Sequence, residues 1–220
     1  HTTTANLSGD EPLTIYKRTG AEVCVSRDRV AAGRALIERG CDILLSDDGL
    51  QQYRLGRDIE IVLIDGQRRL GNRMCIPVGP LREFPSRLNR VDFILLNSPT
   101  VECVNEFQQI PSHIMNIKPA RFVQINSQMS ISLAHFKDQE VMAVAGIGNP
   151  SRFKSTLNTL GIKSELRVFG DHHDFTLSDF EADVAVPVVM TEKDAVKCES
   201  FARDNWYYLE VDAAIDEDFW

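Results

Sequence analysis

The chain has 220 residues, 43% of them hydrophobic and 25% charged, enough for one large core or two smaller ones. Its net charge of -8 and pI near 5.2 argue against a basic nucleic-acid footprint. Five scattered cysteines, an odd number without a Cys-x-x-Cys pair, argue against a zinc site and fit a reducing compartment.

The first residue is His1, and residues 1–10 are polar without a signal-peptide pattern, so the chain reads as the interior of a longer protein. A short helix is predicted over 11–19, with Pro12 in its first turn. Asp10 is a good N-cap residue for it. A strand over 22–25 and a helix over 28–39, stopped at Gly40, come next. The apolar runs 42–45 and 59–64 read as strands of a sheet buried on both faces, with Cys24 and Cys41 as small core residues. Residues 66–88 form a long loop rich in Gly, Pro and Arg, and loops of that length in a compact domain are usually functional. A strand at 93–97 precedes a poorly patterned stretch, 101–118, read as an inter-domain boundary.

A second alternating set follows. Strands are predicted at 140–145, 163–169, 184–190 and 206–211, and helices at 151–160, from 176 and over 191–203. Alternation of this kind implies a parallel α/β sheet with helices on both faces. The division expected is 1–118 and 119–220, the second a smaller α/β subdomain.

Four clusters can carry chemistry. Asp47-Asp48 follows the predicted strand 42–45 and sits where parallel sheets bind ligands. Magnesium favours one or two carboxylates completed by phosphate oxygens, so the pair reads as the metal edge of a nucleotide-phosphate site; a turn cap is the other reading. Asp10 is either a general base or a helix cap. In Asp171-His172-His173, a histidine beside a carboxylate can tune proton transfer. Gly79-Pro-Leu-Arg-Glu83 lies in the loop that also holds Arg68, Arg69, Arg73 and Arg87, and the planar guanidinium suits an anionic substrate. Gly146-Ile-Gly-Asn-Pro150 reads as a tight turn into a helix, and Thr191-Glu-Lys-Asp194 as a helix cap.

In this order, Gly9-Asp-Glu-Pro12, Asp47-Asp-Gly-Leu-Gln51, Ile64-Asp-Gly66 with Gly71-Asn72, Gly79-Pro-Leu-Arg-Glu83, Gly146-Ile-Gly-Asn-Pro150, Asp171-His172 and Met190-Thr-Glu-Lys-Asp-Ala-Val-Lys197 resemble the tetraacyldisaccharide 4'-kinase (lipid A 4'-kinase) family. The resemblance implies a P-loop NTPase-like fold, with 1–118 a partial kinase core. It also implies transfer of the ATP γ-phosphate, with Mg2+, to the 4'-hydroxyl of a lipid A disaccharide 1-phosphate precursor at the cytoplasmic face of the bacterial inner membrane. By position, Asp10 corresponds to the base and His172 to its charge-tuning partner. Asp47 and Asp48 correspond to metal ligands, and Glu11, Asn72, Arg82 and Glu83 to substrate contacts. Three features depart from the family. No glycine-rich phosphate loop closing on Lys-Thr or Lys-Ser occurs, Gln52 stands where most relatives carry a His, and Gly170 replaces a more typical residue before Asp171-His172. The chain is thus expected to be inactive alone. The other readings are a non-catalytic homologue that binds a lipid head group or a partner, and a different P-loop NTPase.

Overall fold

The computed structural model describes residues 8–107, 109–171, 173–183 and 186–220, without the side chains of 181–183. These divide into two compact units. The first holds residues up to Leu45 and Pro119–Val211, the second Ser46–Lys118 and Asp212–Trp220.

The first unit begins with helix α1 (Asp10–Thr19) and helix α2 (Arg29–Glu38). Asp28 caps α2 by accepting the Val30 and Ala31 N–H groups, as the sequence signals for a helix start require. Its strands are β4 (Ser130–Ile131), β5 (Glu140–Ala145), β6 (Lys163–Val168) and β7 (Val188–Thr191). Two more, β3 (Ser112–Gln124) and β8 (Trp206–Ile215), contribute residues to both units. The order here is β3-β8-β7-β5-β6, with β5, β6, β7 and β8 parallel and β4 antiparallel to β3. Helix α4 (Pro150–Thr159) links β5 to β6, and helix α5 (Glu192–Cys198) links β7 to β8.

Strand β5 shows why its run has no polar alternation. Val141, Ala143 and Ala145 pack with Phe122, Phe153 and Leu157, while Met142 and Val144 pack with Phe180, Met190 and Trp206. Both faces are buried, as the continuous apolar run predicts.

The second unit is built on β1 (Ile61–Asp65), β2 (Phe93–Asn97) and the first residues of β3, all parallel. Its core gathers Ile64, Leu70, Leu88, Ile94 and Leu96 with Cys103 and Phe107. The last two flank or lie on helix α3 (Val101–Glu106), which Thr100 caps.

Several expectations are corrected. Residues 22–25 and 42–45 form no strand; Val25, Ile43 and Leu45 are exposed. A short β-prone run stays irregular without a neighbouring ladder, and neither has one among the described residues. Cys24 and Cys41 are accordingly only part-buried. The stretch 101–118, poorly patterned in sequence, holds α3 and the start of β3, and the chain passes from the second unit to the first at its end, between Lys118 and Pro119. The last helix ends at Cys198 rather than 203, and the segment after 176 is a 3-10 helix, Leu177–Asp183. Among the described residues, no helix is long and apolar enough to cross a membrane.

Candidate active site

In the first unit, the site residues gather where α1 meets α5 and the end of β5. Asp10 opens α1 but does not cap it. The N-cap is Gly9, without a side-chain bond, and Asp10 lies in the first turn with only 8% of its surface exposed. A carboxylate so desolvated needs cations or donors. Two lysines one turn apart on α5 supply charge. Lys197 Nζ stands 3.4 Å from Asp10 Oδ2, and Lys193 Nζ stands 4.0 Å from the same oxygen. Lys193 also pairs with Glu11 at 3.0 Å and Asp171 at 3.5 Å. Burial alone would lower the Lys193 pKa, but Glu11, Asp10 and Asp171 together outweigh it and raise it.

The lysines are set by a cap with an unusual partner. Thr191 accepts the Asp194 N–H at the start of α5, as the Thr-x-x-Asp spacing predicts. Yet the Asp194 carboxylate, fully buried, does not return to the cap backbone as a capping box would. Its Oδ2 accepts the Gly146 N–H at 2.9 Å and the Thr191 hydroxyl at 2.6 Å, while Oδ1 faces Lys197 Nζ at 3.6 Å. Gly146 lets the carboxylate approach its backbone closely, since a Cβ would crowd Asp194 Oδ1 at 3.0 Å and the Gly170 carbonyl oxygen at 3.3 Å. Gly146-Ile-Gly-Asn-Pro150 is a turn into α4, capped by Asn149 on the Arg152 N–H. His172 lies outside the described residues. Its neighbour His173 lies tilted against the Phe169 ring, edge-on to Phe175, and faces Asp179 at 3.3 Å.

In the second unit, Asp47 and Asp48 lie on a turn rather than a strand end, and both are exposed. Arg57 pins the turn by donating to the Gly49 and Leu50 carbonyls, each at 3.0 Å. Asp48 takes φ +47° and accepts both of its bonds from Arg82 Nη1, at 2.9 Å. The adjoining Glu83 accepts from Gln51 Nε2 at 2.7 Å and from the Tyr53 hydroxyl. The Tyr53 bond, more than the Gln51 bond and the nearby charge of Arg87, holds the Glu83 carboxyl below the usual range. Two motifs that the sequence offers separately are thus one constellation. Asn72 spends its amide inside the loop, donating to the Val78 carbonyl and accepting the Met74 N–H. Gly79 has no room for a Cβ, which would sit 2.1 Å from Asn72 Oδ1.

Among the described residues, no three His, Cys, Asp or Glu groups converge as a metal cage. An adjacent, solvent-facing carboxylate pair still suits Mg2+, which keeps waters and takes its remaining ligands from phosphate. Sequence reading missed Lys193 and Lys197, which it absorbed into a helix cap. It also missed the roles of Gln51 and Tyr53, whose partner Glu83 is about 30 residues away, and of Arg57, which holds the turn at Gly49 and Leu50.

These units, parallel strands joined by crossover helices, define an α/β protein. It superposes with TM-score 0.82 on a solved structure described as the "apo" form of LpxK from Aquifex aeolicus in complex with ATP, 26% identical, over 99% of this chain and 68% of that one. The sequence profile of the tetraacyldisaccharide-1-P 4'-kinases matches residues 1–220. The chain belongs to that family. It is 46% identical to the tetraacyldisaccharide 4'-kinase of Legionella pneumophila strain Corby over 98% of its length, and 47% identical to that of Pseudomonas fluorescens strain Pf0-1 over 96%. It spans 64% and 61% of those two relatives.

Proposed function

We propose that the whole protein transfers the γ-phosphate of ATP to the 4'-hydroxyl of a tetraacylated glucosamine disaccharide 1-phosphate, with Mg2+, at the cytoplasmic face of the inner membrane. The observation that carries this reading is the clasped carboxylate of Asp10. A nearly buried carboxylate between two lysines, in a chain matched end to end by the family profile, suits a group that orients and deprotonates an acceptor hydroxyl.

Phosphoryl transfer asks little covalent chemistry of a protein; it needs positioning and charge stabilisation. Asp10 takes the proton of the sugar hydroxyl. Glu11, beside it, holds the acceptor through the oxygen not engaged by Lys193. His172 is assigned as the charge partner of Asp10, and its neighbour Asp171 already pairs with Lys193. Asp47 and Asp48 would hold Mg2+, with Arg82 released from Asp48 to meet phosphate, and the ion would supply positive charge against the transferred phosphoryl group. Arg82 and Glu83 contact the head group, and Asn72 keeps their loop in shape.

The test is product analysis with the whole protein, ATP, Mg2+ and the disaccharide 1-phosphate. A new phosphomonoester at the 4' position, seen by 31P NMR, is expected. ATP hydrolysed to free phosphate with no sugar product would overturn the reading.

A further inference from the structure

We infer that Lys197 is a positioning residue for Asp10, fixing its carboxylate for proton acceptance through a rigid line that starts at the Gly146 backbone. The inference rests on the reading of Asp10 as the base.

Lys197 is the innermost cation of the cluster. Its side chain is 10% exposed, against 21% for Lys193. Its ammonium donates to the His173 carbonyl at 3.3 Å and stands 5.6 Å from the Phe175 ring centroid. Two carboxylates flank it, Asp194 at 3.6 Å and Asp10 at 3.4 Å. Asp194 cannot move without breaking its bonds to the Gly146 N–H and the Thr191 hydroxyl. Its other oxygen, Oδ1, accepts no hydrogen bond among the described residues, so the ammonium is the counter-charge it faces. The order Gly146, Asp194, Lys197, Asp10 therefore runs from the end of β5 through α5 to the first turn of α1. Every link within it is a short polar contact between groups with little access to water.

This differs from an ordinary ion pair between helices. Exposed pairs of that kind are present between α1 and the α5 region, Lys17 with Glu199 and Arg18 with Glu192. They already join the two segments, and surface pairs contribute little. Lys197 instead points its charge at the one buried carboxylate of α1. Asp10 faces Lys197 and Lys193 from α5, Asp194 one contact further, Glu11 in its own turn, and Asp171 across Lys193.

Losing an oriented cation misplaces the base and makes its carboxylate easier to protonate. Steady-state kinetics of Lys197→Met in the whole protein therefore should show kcat down about 10- to 100-fold with KM for ATP unchanged. The acid limb of the kcat–pH profile should move to higher pH. Lys197→Arg, which keeps the charge, should lose only several-fold. Because Lys197→Met also strands the buried Asp194, the double variant Lys197→Met/Asp194→Asn is measured beside it. Restoration of wild-type kcat and pH profile in the double variant would mean that Lys197 serves Asp194 alone, and the inference falls. It also falls if Lys197→Met keeps the wild-type kcat and pH profile. Asp10→Asn separates the two claims: a fully active Asp10→Asn sinks the base assignment itself. An inactive Asp10→Asn with an undisturbed Lys197→Met sinks only the positioning role.

Discussion

Lys197 and Asp10, 187 positions apart in sequence, meet at 3.4 Å, and the same ammonium lies 3.6 Å from the fully buried Asp194. The contact joins the motif that opens the chain's first described helix to the motif that caps its last. It also ranks the ionic contacts of the site. The Asp10 clasp is desolvated and ordered by backbone, whereas the Asp48–Arg82 pair is open to water, with 69% and 60% of the side chains exposed. The first therefore sets geometry, and the second is free to exchange partners.

Gly146→Ala should destabilise the protein by about 1–3 kcal/mol, the usual range for an extra methyl forced into a packed site. The new Cβ meets Oδ1 of Asp194, a carboxylate held in place through two hydrogen bonds to its other oxygen, and the Gly170 carbonyl and Phe175 ring on its other sides. Chemical denaturation would show this as a lower midpoint at unchanged slope. An unchanged midpoint would mean that Asp194 yields freely.

Arg82→Ala should leave the melting temperature within error, since the pair it breaks is exposed. Catalysis should respond differently. The Mg2+ concentration for half-maximal rate should fall, because Asp48 no longer exchanges Arg82 for the metal, while KM for the disaccharide rises. A large drop in melting temperature, with both kinetic constants unchanged, would show a structural salt bridge instead.

How much of this was legible in the sequence depends on whether a residue's partner is near in the chain. The run Glu140–Ala145 announced a strand buried on both faces because its own composition carries that information. Thr191 and Asp194 announced a cap because they are one helical turn apart. The run 42–45 misled for the opposite reason: Ile43, Leu44 and Leu45 look like a core strand, and their exposure is a property of missing neighbours. The site followed the same rule. Asp10, Asp48, Arg82 and Glu83 stood out by residue type and motif, but Lys197 looked like an ordinary helix lysine until α1 was placed against α5.

Acid stability gives a third prediction. Asp179 Oδ2 accepts the Thr176 N–H at 2.8 Å and faces His173 Nε2 at 3.3 Å; the backbone bond, more than the histidine, holds its carboxyl below the ordinary value of 3.8. A depressed carboxylate stabilises the fold above its unfolded pKa, and that contribution is lost as pH falls through the lower folded value. Denaturation midpoints followed from pH ~5 downward should fall more steeply for wild type than for Asp179→Asn below pH ~4. Parallel curves would contradict the assignment.

Thiol chemistry supplies a fourth. Cys103 and Cys198 are fully buried, and burial pushes both thiols up, Cys198 furthest. The thiolate is the reactive form. Alkylation of the folded protein, read by peptide mass spectrometry, should modify Cys24, Cys41 and Cys75 well before these two, all five being free. Early labelling of Cys198 would mean that α5, and with it the Lys197 clasp, opens readily.

If Asp10 accepts the proton of the sugar 4'-hydroxyl, single-turnover phosphoryl transfer from saturating ATP to the disaccharide 1-phosphate will separate the whole protein from its Asp10→Ala variant. Both should form the 4'-phosphate, Asp10→Ala about 100-fold or more slowly and with unchanged affinity for ATP. Transfer by Asp10→Ala at the wild-type rate would contradict that role.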